Sequence, residues 1–409
     1  MTVRDVVRRV LERVDKGSWA TPTLDGELAR AGLDVRDRRL AAELVYGVLR
    51  HRARIDAALT AHADLRRTPK RVLTALRIAA YQLLFLDRVP PYAAVDDAVN
   101  AAREAGGPKL AGFVNAVLRK LAKAGAPKPE SIEVEYSLPR WILDELTAVE
   151  PDVRARAAAF AEPAPLIARV NRRRITRDAL AERFAAAGIT ATPIAMSPTA
   201  LRVDVGDPSR DDSFNAGLWT VQDTGAQVVG DIAAPASGQR ILDACAGVGG
   251  KSTHLAELTD DAAQIDAADL NATKLGLLGE TAQRLGLTSI RRQVCDLLDP
   301  NAPLGTYDLI ILDAPCSGLG VLRRHPDAKW RLQPTDVPRL ADLQRQLLDA
   351  VVRRLAPHGT LVYSVCTFTR AEGPAQVASL VARTDLRLER EERSWPPEAD
   401  AFYIARLSR

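Results

Sequence analysis

The stretch Ile241-Leu-Asp-Ala-Cys-Ala-Gly-Val-Gly-Gly-Lys251 decides the fold of the C-terminal part of this chain. It is typical of a short apolar strand that ends at Asp243, followed by a glycine-rich turn and the start of a helix. From Gln239 onward, strand-like runs alternate with helical stretches such as 252–258 and 272–285. Because parallel strands need crossover connections, this alternation predicts a mostly parallel sheet with helices on both faces. The strand-like runs are 241–242, 264–268, 290–294, 309–312 and 360–364, with two further edge-strand candidates at 386–388 and 402–407.

Two other segments precede this domain. Apolar spacing over residues 1–128 is helical and predicts an all-helical bundle. Breaks between its helices are predicted at 68–69, 89–91 and 106–108. Residues 129–238 mix helical stretches with short strand-like runs such as 166–170, and predict a small α+β module. We therefore expect three segments, the last being a domain over 239–409.

The composition of the chain indicates a soluble, multidomain protein. With 409 residues, 47% of them hydrophobic, it is long enough for two or three packed domains. All four cysteines lie after residue 240, and the N-terminus lacks the apolar core of a signal peptide. No stretch reaches the roughly 18 uncharged apolar residues of a membrane helix. We expect a cytoplasmic protein with free thiols, no membrane association and no metal.

Positive charge is concentrated towards the N-terminus. Residues 1–130 contain 24 Lys and Arg against 15 Asp and Glu, whereas the net charge of the whole chain is only +4. Such a concentration favours a polyanionic partner, because neutralised phosphates release counterions. A solvated helical surface without a partner would carry the same pattern, and the charge alone does not decide between them.

The glycine-rich turn is compatible with several nucleotide sites, and its spacing argues against two of them. A P-loop needs a glycine where Cys245 stands, and a dinucleotide-binding turn needs one where Ser252 stands. What remains is a strand, a glycine turn, a helix and an acidic residue, Asp269, at the end of the next strand. That order suits S-adenosylmethionine, whose ribose hydroxyls a carboxylate can bind. Asp296, after the third strand, is placed to reach the adenine edge. Both aspartates could instead be a helix cap or a turn residue.

The predicted cofactor site combines the turn with the aspartates at the strand ends. Glycine lets the backbone approach a ligand without interference from Cβ. Lys251 would place an ammonium group near the reacting atoms, although a surface lysine on the first helical turn is the alternative. The predicted cofactor-binding residues are Cys245, Ala246, Gly247, Val248, Gly249, Gly250, Lys251, Asp269, Asp296 and Asp313.

Two cysteines follow strand-like runs downstream of this turn. Cys316 lies in Asp313-Ala-Pro-Cys316, after the run 309–312, and Cys366 follows the run 360–364. Because the carboxyl ends of parallel strands form one edge of a sheet, both thiols should lie beside the predicted cofactor. A thiolate there can attack a substrate, and a second thiol can help to release it. Position alone permits either assignment of these roles. Cys245 and Cys295 are interpreted as small apolar side chains without covalent chemistry.

Several motifs of the chain resemble a known family. The stretches 245–251, 313–320 and Val365-Cys366-Thr367 are similar to those of the RNA 5-methylcytosine methyltransferases of the NOL1/NOP2/Sun family, over about Phe214 to the C-terminus. The N-terminal segment resembles the NusB RNA-binding fold through 44–50, 79–84 and 111–119. The two parts in this order are similar to bacterial enzymes that act on small-subunit ribosomal RNA, over nearly the whole chain.

The resemblance implies a fold and a reaction. The fold is a Rossmann-like, S-adenosylmethionine-dependent methyltransferase domain with a mostly parallel seven-stranded sheet, preceded by a NusB-like bundle and the α+β module. The reaction is methylation of cytosine C5 in 16S ribosomal RNA by a monomer. By resemblance, Cys366 adds to C6 of the base, Cys316 assists elimination, Asp313 hydrogen-bonds the base, and Lys251 supports the nucleophile.

The sequence departs from the usual family pattern at three places. Gly247-Val248 replace Ala-Pro in the cofactor turn, Val365 and Thr367 flank the second cysteine where Thr and Ser are usual, and Gly373 stands where an asparagine usually follows the glutamate. Both cysteines are retained, so these changes bear on local contacts more than on the reaction.

Arginines and lysines near the catalytic motifs are candidates for RNA contacts. One strand-like run continues into Arg169-Val-Asn-Arg172-Arg173-Arg174, and a basic loop follows Cys316. Contacts of this kind position a phosphate backbone without reading its sequence. A charged surface without RNA is the alternative. The predicted RNA-binding residues are Arg169, Arg172, Arg323, Arg324 and Lys329.

Two other functions remain open from the sequence. The chain could methylate a different acceptor, since Asp-Ala-Pro-Cys loosely resembles the Asp-Pro-Pro-Tyr loop of amino-methylating enzymes. Cys366 argues against this, because transfer to an exocyclic amine needs no second thiol. It could also be a NusB-like RNA-binding assembly factor with an inactive methyltransferase domain, and the presence of Cys366, Asp313 and Asp269 argues against that.

Overall fold

The computed structural model describes residues 2–87 and 89–409 and divides the chain into two compact units. The helical unit comprises Met1–Thr147, Pro151–Pro163 and Leu322–Leu332. The sheet unit comprises Ala148–Glu150, Ala164–Val321 and Gln333–Arg409. Over the described ranges, no helix combines the length and apolar character needed to cross a membrane.

The N-terminal part of the chain is helical, as the apolar spacing predicts. α6 is interrupted at Gly106 and Gly107, whose backbone angles are not helical, which confirms the predicted break there. The helices are α1 (Val3–Val14), α2 (Ala20–Ala31), α3 (Val35–Arg50), α4 (Arg52–Thr60), α5 (Lys70–Phe85), α6 (Pro91–Ala124), α7 (Ile132–Glu135), α8 (Arg140–Thr147) and α9 (Val153–Ala161).

Local signals and core packing explain the helical bundle. At the start of α1, the Thr2 hydroxyl accepts a hydrogen bond from the Asp5 N–H, and the Asp5 carboxylate accepts one from the Thr2 N–H. This reciprocal cap satisfies N–H groups that have no partner within the helix. Apolar side chains at helical spacing, such as Val6, Val10 and Leu44, are fully buried in one core.

The sheet unit begins with a small antiparallel sheet. Its strands lie in the order β2-β3-β1-β4, and β1 pairs with β3 and β4. Phe184 packs edge-on against the fully buried Trp219, with ring centroids 5.6 Å apart. The elements are β1 (Leu166–Val170), α10 (Arg177–Ala186), β2 (Ala191–Pro193), β3 (Ala200–Val203), α11 (Asp212–Asn215), β4 (Trp219–Val221) and α12 (Thr224–Ala233), with a short 3-10 turn at Pro208–Arg210.

A larger sheet of seven strands follows and is mostly parallel, which confirms the predicted fold class. Its strands are β5 (Arg240–Asp243), β6 (Gln264–Asp269), β7 (Ile290–Val294), β8 (Tyr307–Asp313), β9 (Leu355–Val365), β10 (Arg387–Ser394) and β11 (Phe402–Ser408). The intervening helices are α13 (Gly250–Leu258), α14 (Ala272–Leu285), α15 (Ala328–Arg331), α16 (Asp336–Val352) and α17 (Pro374–Arg383), with a 3-10 turn at Leu319–Val321.

The order of this sheet is β10-β11-β9-β8-β5-β6-β7. β5 to β9 pair in parallel, and β11 pairs antiparallel with β9 and β10. Successive residues of a strand face opposite sides, so Ile241 and Leu242 of β5 enter separate apolar cores on the two faces. Helices cover both faces because each face is apolar.

The segment Leu322–Leu332, which carries α15, packs with the helical unit. Trp330 Nε1 donates to the Leu49 carbonyl at 2.7 Å, and Lys329 Nζ donates to the Arg50 carbonyl at 2.8 Å. The Asp327 carboxylate accepts a hydrogen bond from the Ala20 N–H at 3.0 Å. The sheet unit is therefore discontinuous in sequence within the stretch 239–409.

Candidate active site

The carboxyl edge of the large sheet gathers the predicted catalytic and cofactor-binding residues. Asp243, Asp269 and Asp313 are the last residues of β5, β6 and β8, and Cys366 directly follows β9. β5 lies between β6 and β8, so the direction of the strand order reverses there. Such a reversal leaves a crevice above the sheet in which ligands bind. The candidate site lies within the sheet unit.

The glycine turn between β5 and α13 forms a cradle with the end of β6. Gly247 and Gly249 have φ values of +56° and +83°, in the left-handed region that favours glycine. A Cβ on Gly249 would lie 2.3 Å from Cγ of Leu278, so a larger residue would collide with α14. The Gly247 N–H donates to Asp269 Oδ2 at 2.8 Å. Val248, between the glycines, is 54% exposed.

The other predicted turn residues lie in the same cradle. The Ala246 N–H donates to the Ala268 carbonyl of β6 at 2.9 Å, and Gly250 is the first residue of α13. Burial raises the pKa of the Cys245 thiol, followed by the charge of Asp243, so this cysteine remains protonated.

A cavity of about 370 Å³ opens beside the cradle, a volume within the usual range of small-molecule sites. Cys245, Asp269 and Asp296 contribute to its wall. The remaining wall is largely apolar and comes from the ends of β6 and β7 and from α16. These apolar lining residues include Leu270, Leu297, Leu298, Leu343 and Leu347.

The two aspartates fit the polar groups of an adenosine. Asp269 Oδ1 accepts a hydrogen bond from the Asn271 N–H at 2.8 Å, and Asp296 Oδ1 accepts one from the Leu298 N–H at 2.9 Å. Because a carboxylate offers about four acceptor positions, both retain capacity for a ligand. Ribose hydroxyls and an adenine amino group are donors that match them, and leucines suit the faces of a purine. The donor set therefore fits S-adenosylmethionine.

Lys251 and Asp313 form a partly buried ion pair at the same edge. Lys251 is 9% exposed, and its Nζ lies 2.5 Å from Asp313 Oδ2. Ser364 Oγ donates to Asp313 Oδ1 at 2.9 Å. Burial acts to lower the pKa of Lys251, but the charge and hydrogen bond of Asp313 outweigh it and raise this pKa above its ordinary value. Lys251 is therefore a charged, buried group, in contrast to the surface lysine of the alternative interpretation.

A further buried carboxyl lies beneath this pair. Asp243 is 1% exposed, and Ser252 Oγ donates to its Oδ2 at 2.6 Å. Its other oxygen has no hydrogen-bond partner over residues 2–87 and 89–409. Burial raises the pKa of Asp243 to about 6. The sequence marks Asp243 only as a strand end, and nothing near it in the chain signals that the side chain is enclosed.

The two predicted catalytic thiols lie side by side. The sulfur atoms of Cys316 and Cys366 are 3.4 Å apart. The hydrogen bond with Cys366, and then burial, raise the pKa of Cys316 well above its ordinary value. Cys316 therefore remains a thiol and can donate a hydrogen bond to the sulfur of Cys366. The Gly320 N–H donates to the Cys366 carbonyl at 3.0 Å, and a Cβ on Gly320 would lie 1.9 Å from the Ala401 carbonyl oxygen.

Arg169 is a correction to the predicted RNA contacts. Its side chain is 0% exposed and forms two hydrogen bonds with Glu257, at 2.8 and 3.0 Å. It also donates to Gln222 Oε1 at 2.6 Å. A guanidinium enclosed by these acceptors joins β1 to α13 and is not accessible to a phosphate. Arg172, on the same segment, is exposed, and its contact with RNA stays a prediction.

Arg323 and Lys329 are corrections of the same kind. They are 4% and 3% exposed and lie in the segment that packs with the helical unit. Arg323 Nη2 donates to the Pro163 carbonyl at 3.3 Å, and the Arg323 carbonyl accepts a hydrogen bond from Arg50 Nη2 at 3.1 Å. Burial, and then the charge of Arg50, lower the pKa of Lys329 to about 7. Both side chains stabilise the packing of their own segment. Arg324 is partly exposed, and its role stays a prediction.

The structure bears on two departures from the family pattern, at Gly373 and Gly247. A Cβ on Gly373 would lie 2.9 Å from Cγ of Tyr403, so the ring of Tyr403 fills the space that an asparagine would need. Gly247, which replaces alanine, has the left-handed φ described above. An alanine there would require a different turn or a strained one.

The fold is that of a methyltransferase domain with a mostly parallel seven-stranded sheet, and solved structures share this fold. The crystal structure of PH0851 superposes with a TM-score of 0.83 at 21% identity, covering 100% of this chain and 98% of that one. NSun6 from Pyrococcus horikoshii, solved with SFG, superposes with a TM-score of 0.60 at 19% identity, covering 66% and 98%. At these identities the likeness concerns the fold.

Sequence comparisons identify the family within that class. The family model for 16S rRNA methyltransferase RsmB/F matches residues 231–408, the NusB family model matches 1–123, and the RsmF/B-like ferredoxin-like domain matches 138–208. Ribosomal RNA small subunit methyltransferase B of Vibrio cholerae is 36% identical, covering 91% of this chain and 90% of that protein. The Xylella fastidiosa protein of the same name is 38% identical, covering 89% and 85%. The chain belongs to the RsmB/F family, which confirms the resemblance of the motifs.

Proposed function

We propose that this protein methylates C5 of a cytosine in 16S ribosomal RNA, using S-adenosylmethionine and a covalent bond between Cys366 and C6 of the base. The observation that carries the proposal is the pair of thiols 3.4 Å apart at the carboxyl edge of the sheet. Family membership supports the methyl transfer and the class of RNA, since the relatives are named for the small-subunit ribosomal RNA. The cytosine and the covalent step rest on the chemistry of the site.

Cytosine C5 requires a nucleophile elsewhere on the ring before it can accept a methyl group. Attack of a thiolate on C6 forms a C–S bond and moves the ring electrons towards C5, which then becomes nucleophilic. After transfer, C5 carries both a hydrogen and the new methyl group. Loss of that proton to a base and cleavage of the C6–S bond restore the aromatic ring and return the electron pair to sulfur.

The electrostatics of the two cysteines support Cys366 as the nucleophile. Cys316 is held as a thiol and would donate its hydrogen bond to the sulfur of Cys366. The buried ammonium of Lys251 also interacts with Cys366. Both interactions stabilise negative charge on the Cys366 sulfur, before the attack and again when the C6–S bond breaks. Cys316 thereby assists elimination.

Asp313 and Lys251 together serve the base. As the thiolate adds to C6, negative charge develops on the ring nitrogen N3 and the carbonyl oxygen. A proton that moves from Lys251 across the 2.5 Å contact would let Asp313 donate a hydrogen bond to N3. Ser364 holds the other oxygen of Asp313 and so fixes the orientation of the carboxyl group.

Asp269, Asp296 and the glycine turn would hold the cofactor. When bound, S-adenosylmethionine supplies an electrophilic methyl group on a positively charged sulfur. SFG, present in the NSun6 structure, is an analogue of it. The Asp269 carboxylate would bind the ribose, Asp296 the adenine edge, and the turn 245–250 the methionine part.

Bisulfite sequencing of 16S ribosomal RNA tests the proposal directly. A strain that lacks this protein is expected to lose one methylated cytosine, and the parental gene is expected to restore it. The Cys366→Ala gene should not restore it. Unchanged cytosine methylation in the deletion strain would contradict the proposal. Loss of a methyl group from another atom of the RNA would show that the protein methylates a different acceptor.

A further inference from the structure

Glu372 is a buried carboxylate that none of the proposed chemical steps uses. Its side chain is 0% exposed and lies between Cys366 and the start of α17. A carboxylate enclosed in this way is costly unless its oxygens accept hydrogen bonds. Its surroundings therefore indicate what it stabilises.

Both oxygens of Glu372 are saturated by donors from the two thiol loops and one helix. Oε1 accepts from the Ser317 N–H at 2.7 Å and from Gln344 Nε2 of α16 at 3.1 Å. Oε2 accepts from Ser317 Oγ at 2.5 Å and from Thr369 Oγ1 at 2.9 Å. Hydrogen bonds to an ionised acceptor are about twice as strong as neutral ones.

These donors are adjacent to the thiols. Ser317 follows Cys316 directly, and Thr369 is in the loop that follows Cys366. The hydroxyl groups of Ser317 and Thr367 are also 2.9 Å apart. Glu372 therefore bonds to the backbone beside one thiol and to the loop beside the other, and its bonds join residues that are 55 positions apart in the chain.

Two neighbouring contacts extend this network. Gln344 Nε2 also donates to the Pro315 carbonyl at 2.9 Å, directly before Cys316. Tyr363 of β9 donates to the Glu372 carbonyl at 2.6 Å. The loop after β8 and the loop after β9 are thus held on both sides of the thiol pair.

We propose that Glu372 is a positioning residue whose side chain, through the hydrogen bonds that it accepts, holds the Cys316 and Cys366 loops together and so fixes the separation of the two thiols. The proposal rests on the proposed two-thiol reaction for its catalytic consequence, but the geometric claim is independent of that reaction. Loss of the carboxylate lets the loops separate, so the thiol pair is expected to be disordered while the cofactor cavity remains.

The test uses the full chain with Glu372→Gln, which keeps the shape of the side chain and removes its charge. Glu398→Gln, an exposed glutamate beyond β10, is the matched control. Without RNA or cofactor, diamide joins two neighbouring thiols as a disulfide, and peptide mapping reports the Cys316–Cys366 product. Glu372→Gln is expected to slow formation of this disulfide about tenfold, and Glu398→Gln to leave it unchanged.

Steady-state methylation gives a second readout. In Glu372→Gln the kcat is expected to fall about 10- to 100-fold, with KM for S-adenosylmethionine within about twofold of the parent, because the thiol pair and not the cofactor site is disturbed. A generally destabilised protein would instead change both constants. Parental disulfide rates together with parental kcat would overturn the proposal.

Two further variants keep the test decisive if Glu372→Gln fails to fold. Thr369→Val removes the hydrogen bonds of one hydroxyl group, and Glu372→Asp keeps the charge but moves the carboxylate away from its donors. Each variant is expected to slow disulfide formation about two- to fivefold. Parental rates in both folded variants would overturn the proposal. If disulfide formation slows as expected while no cytosine is methylated even by the parent, the proposed function fails and the positioning role stands.

Discussion

The two halves of the active-site edge are built from different kinds of contact. The cofactor half consists of the turn 244–250 with the ends of β6 and β7, and its contacts are mainly backbone N–H groups that reach carboxylates. The thiol half consists of the loops after β8 and β9, and there side chains hold side chains across the sequence. A substitution leaves most backbone hydrogen bonds in place, whereas replacing one member of a side-chain network removes several hydrogen bonds at once. We therefore expect substitutions in the cofactor half to reduce cofactor binding in small steps. A single substitution in the thiol half is expected to abolish most of the methyl transfer.

The largest expected effect is in the thiol half. Cys366→Ala removes the proposed nucleophile and should lower the single-turnover rate of methyl transfer to 16S ribosomal RNA by about 1,000-fold or more, since no other group can activate C5. Transfer of a tritiated methyl group measures this rate. Binding of S-adenosylmethionine, measured by calorimetry, should remain because the cavity is intact. A variant that retains a tenth of the parental rate would contradict the assignment.

Cys316→Ala is expected to separate addition from release. The Cys366 sulfur can still attack C6, but its departure loses the hydrogen bond from the Cys316 thiol, so turnover should fall about 100-fold. A denaturation-resistant RNA adduct should then accumulate and be visible as a slower band on a denaturing gel. The Cys366→Ala protein, run beside it, should form no adduct. The opposite pattern would exchange the roles of the two cysteines.

Asp269→Asn tests whether the cofactor half weakens gradually. An amide keeps one acceptor oxygen and loses the charge, so KM for S-adenosylmethionine should rise about 10- to 100-fold while kcat changes by less than about fivefold. Asp296→Asn should have a smaller effect, since Asp296 is exposed. A fall in kcat without a change in KM would contradict a cofactor-binding role and would remove the contrast between the halves.

At the buried carboxyl of Asp243 the expected effect is on stability, and it varies with pH. Its pKa is about 6 in the folded protein and lies near 4 in an unfolded chain, so the folded state binds the proton more tightly. The free energy of unfolding should therefore decrease as the pH rises from about 4 to about 6, by at most about 3 kcal/mol from this group.

Urea unfolding at several pH values measures this contribution. Asp243→Asn has no proton to lose, so its stability relative to the parent should increase across the same interval and then become constant. Asp212→Asn, at an exposed position, is the control and should shift stability equally at all pH values. A difference between Asp243→Asn and the parent that does not depend on pH would show that the carboxyl is not enclosed in solution.

Local patterns predicted much of the fold. α14 begins and ends where its apolar spacing predicts, at Ala272 and Leu285, and β7 matches the run 290–294. These elements are specified by neighbouring residues and bounded by a cap or a glycine. β2 and β4, at three residues each, were not predicted, because pairing with distant strands and not local sequence stabilises them.

The same distinction applies to the site, where some residues could be predicted from their neighbours in the sequence and others depend on partners far away in the chain. The turn and the strand-end aspartates could be predicted because each follows an apolar run. The burial of Arg169 could not, since its partner Glu257 is 88 residues away and the run of arginines is typical of a surface. Glu372 was missed for the same reason, since its donors come from three separate segments.

The segment Leu322–Leu332 has a practical consequence for dividing the protein. It begins six residues after Cys316, and its Trp330 and Lys329 depend on carbonyl groups of α3. Any fragment that keeps the thiol half but omits the first 130 residues would expose these side chains to water without their partners. The methyltransferase part is therefore not expected to fold well without the N-terminal helices. Gene fusions, truncations and exchanges between relatives should keep these helices and the methyltransferase part together.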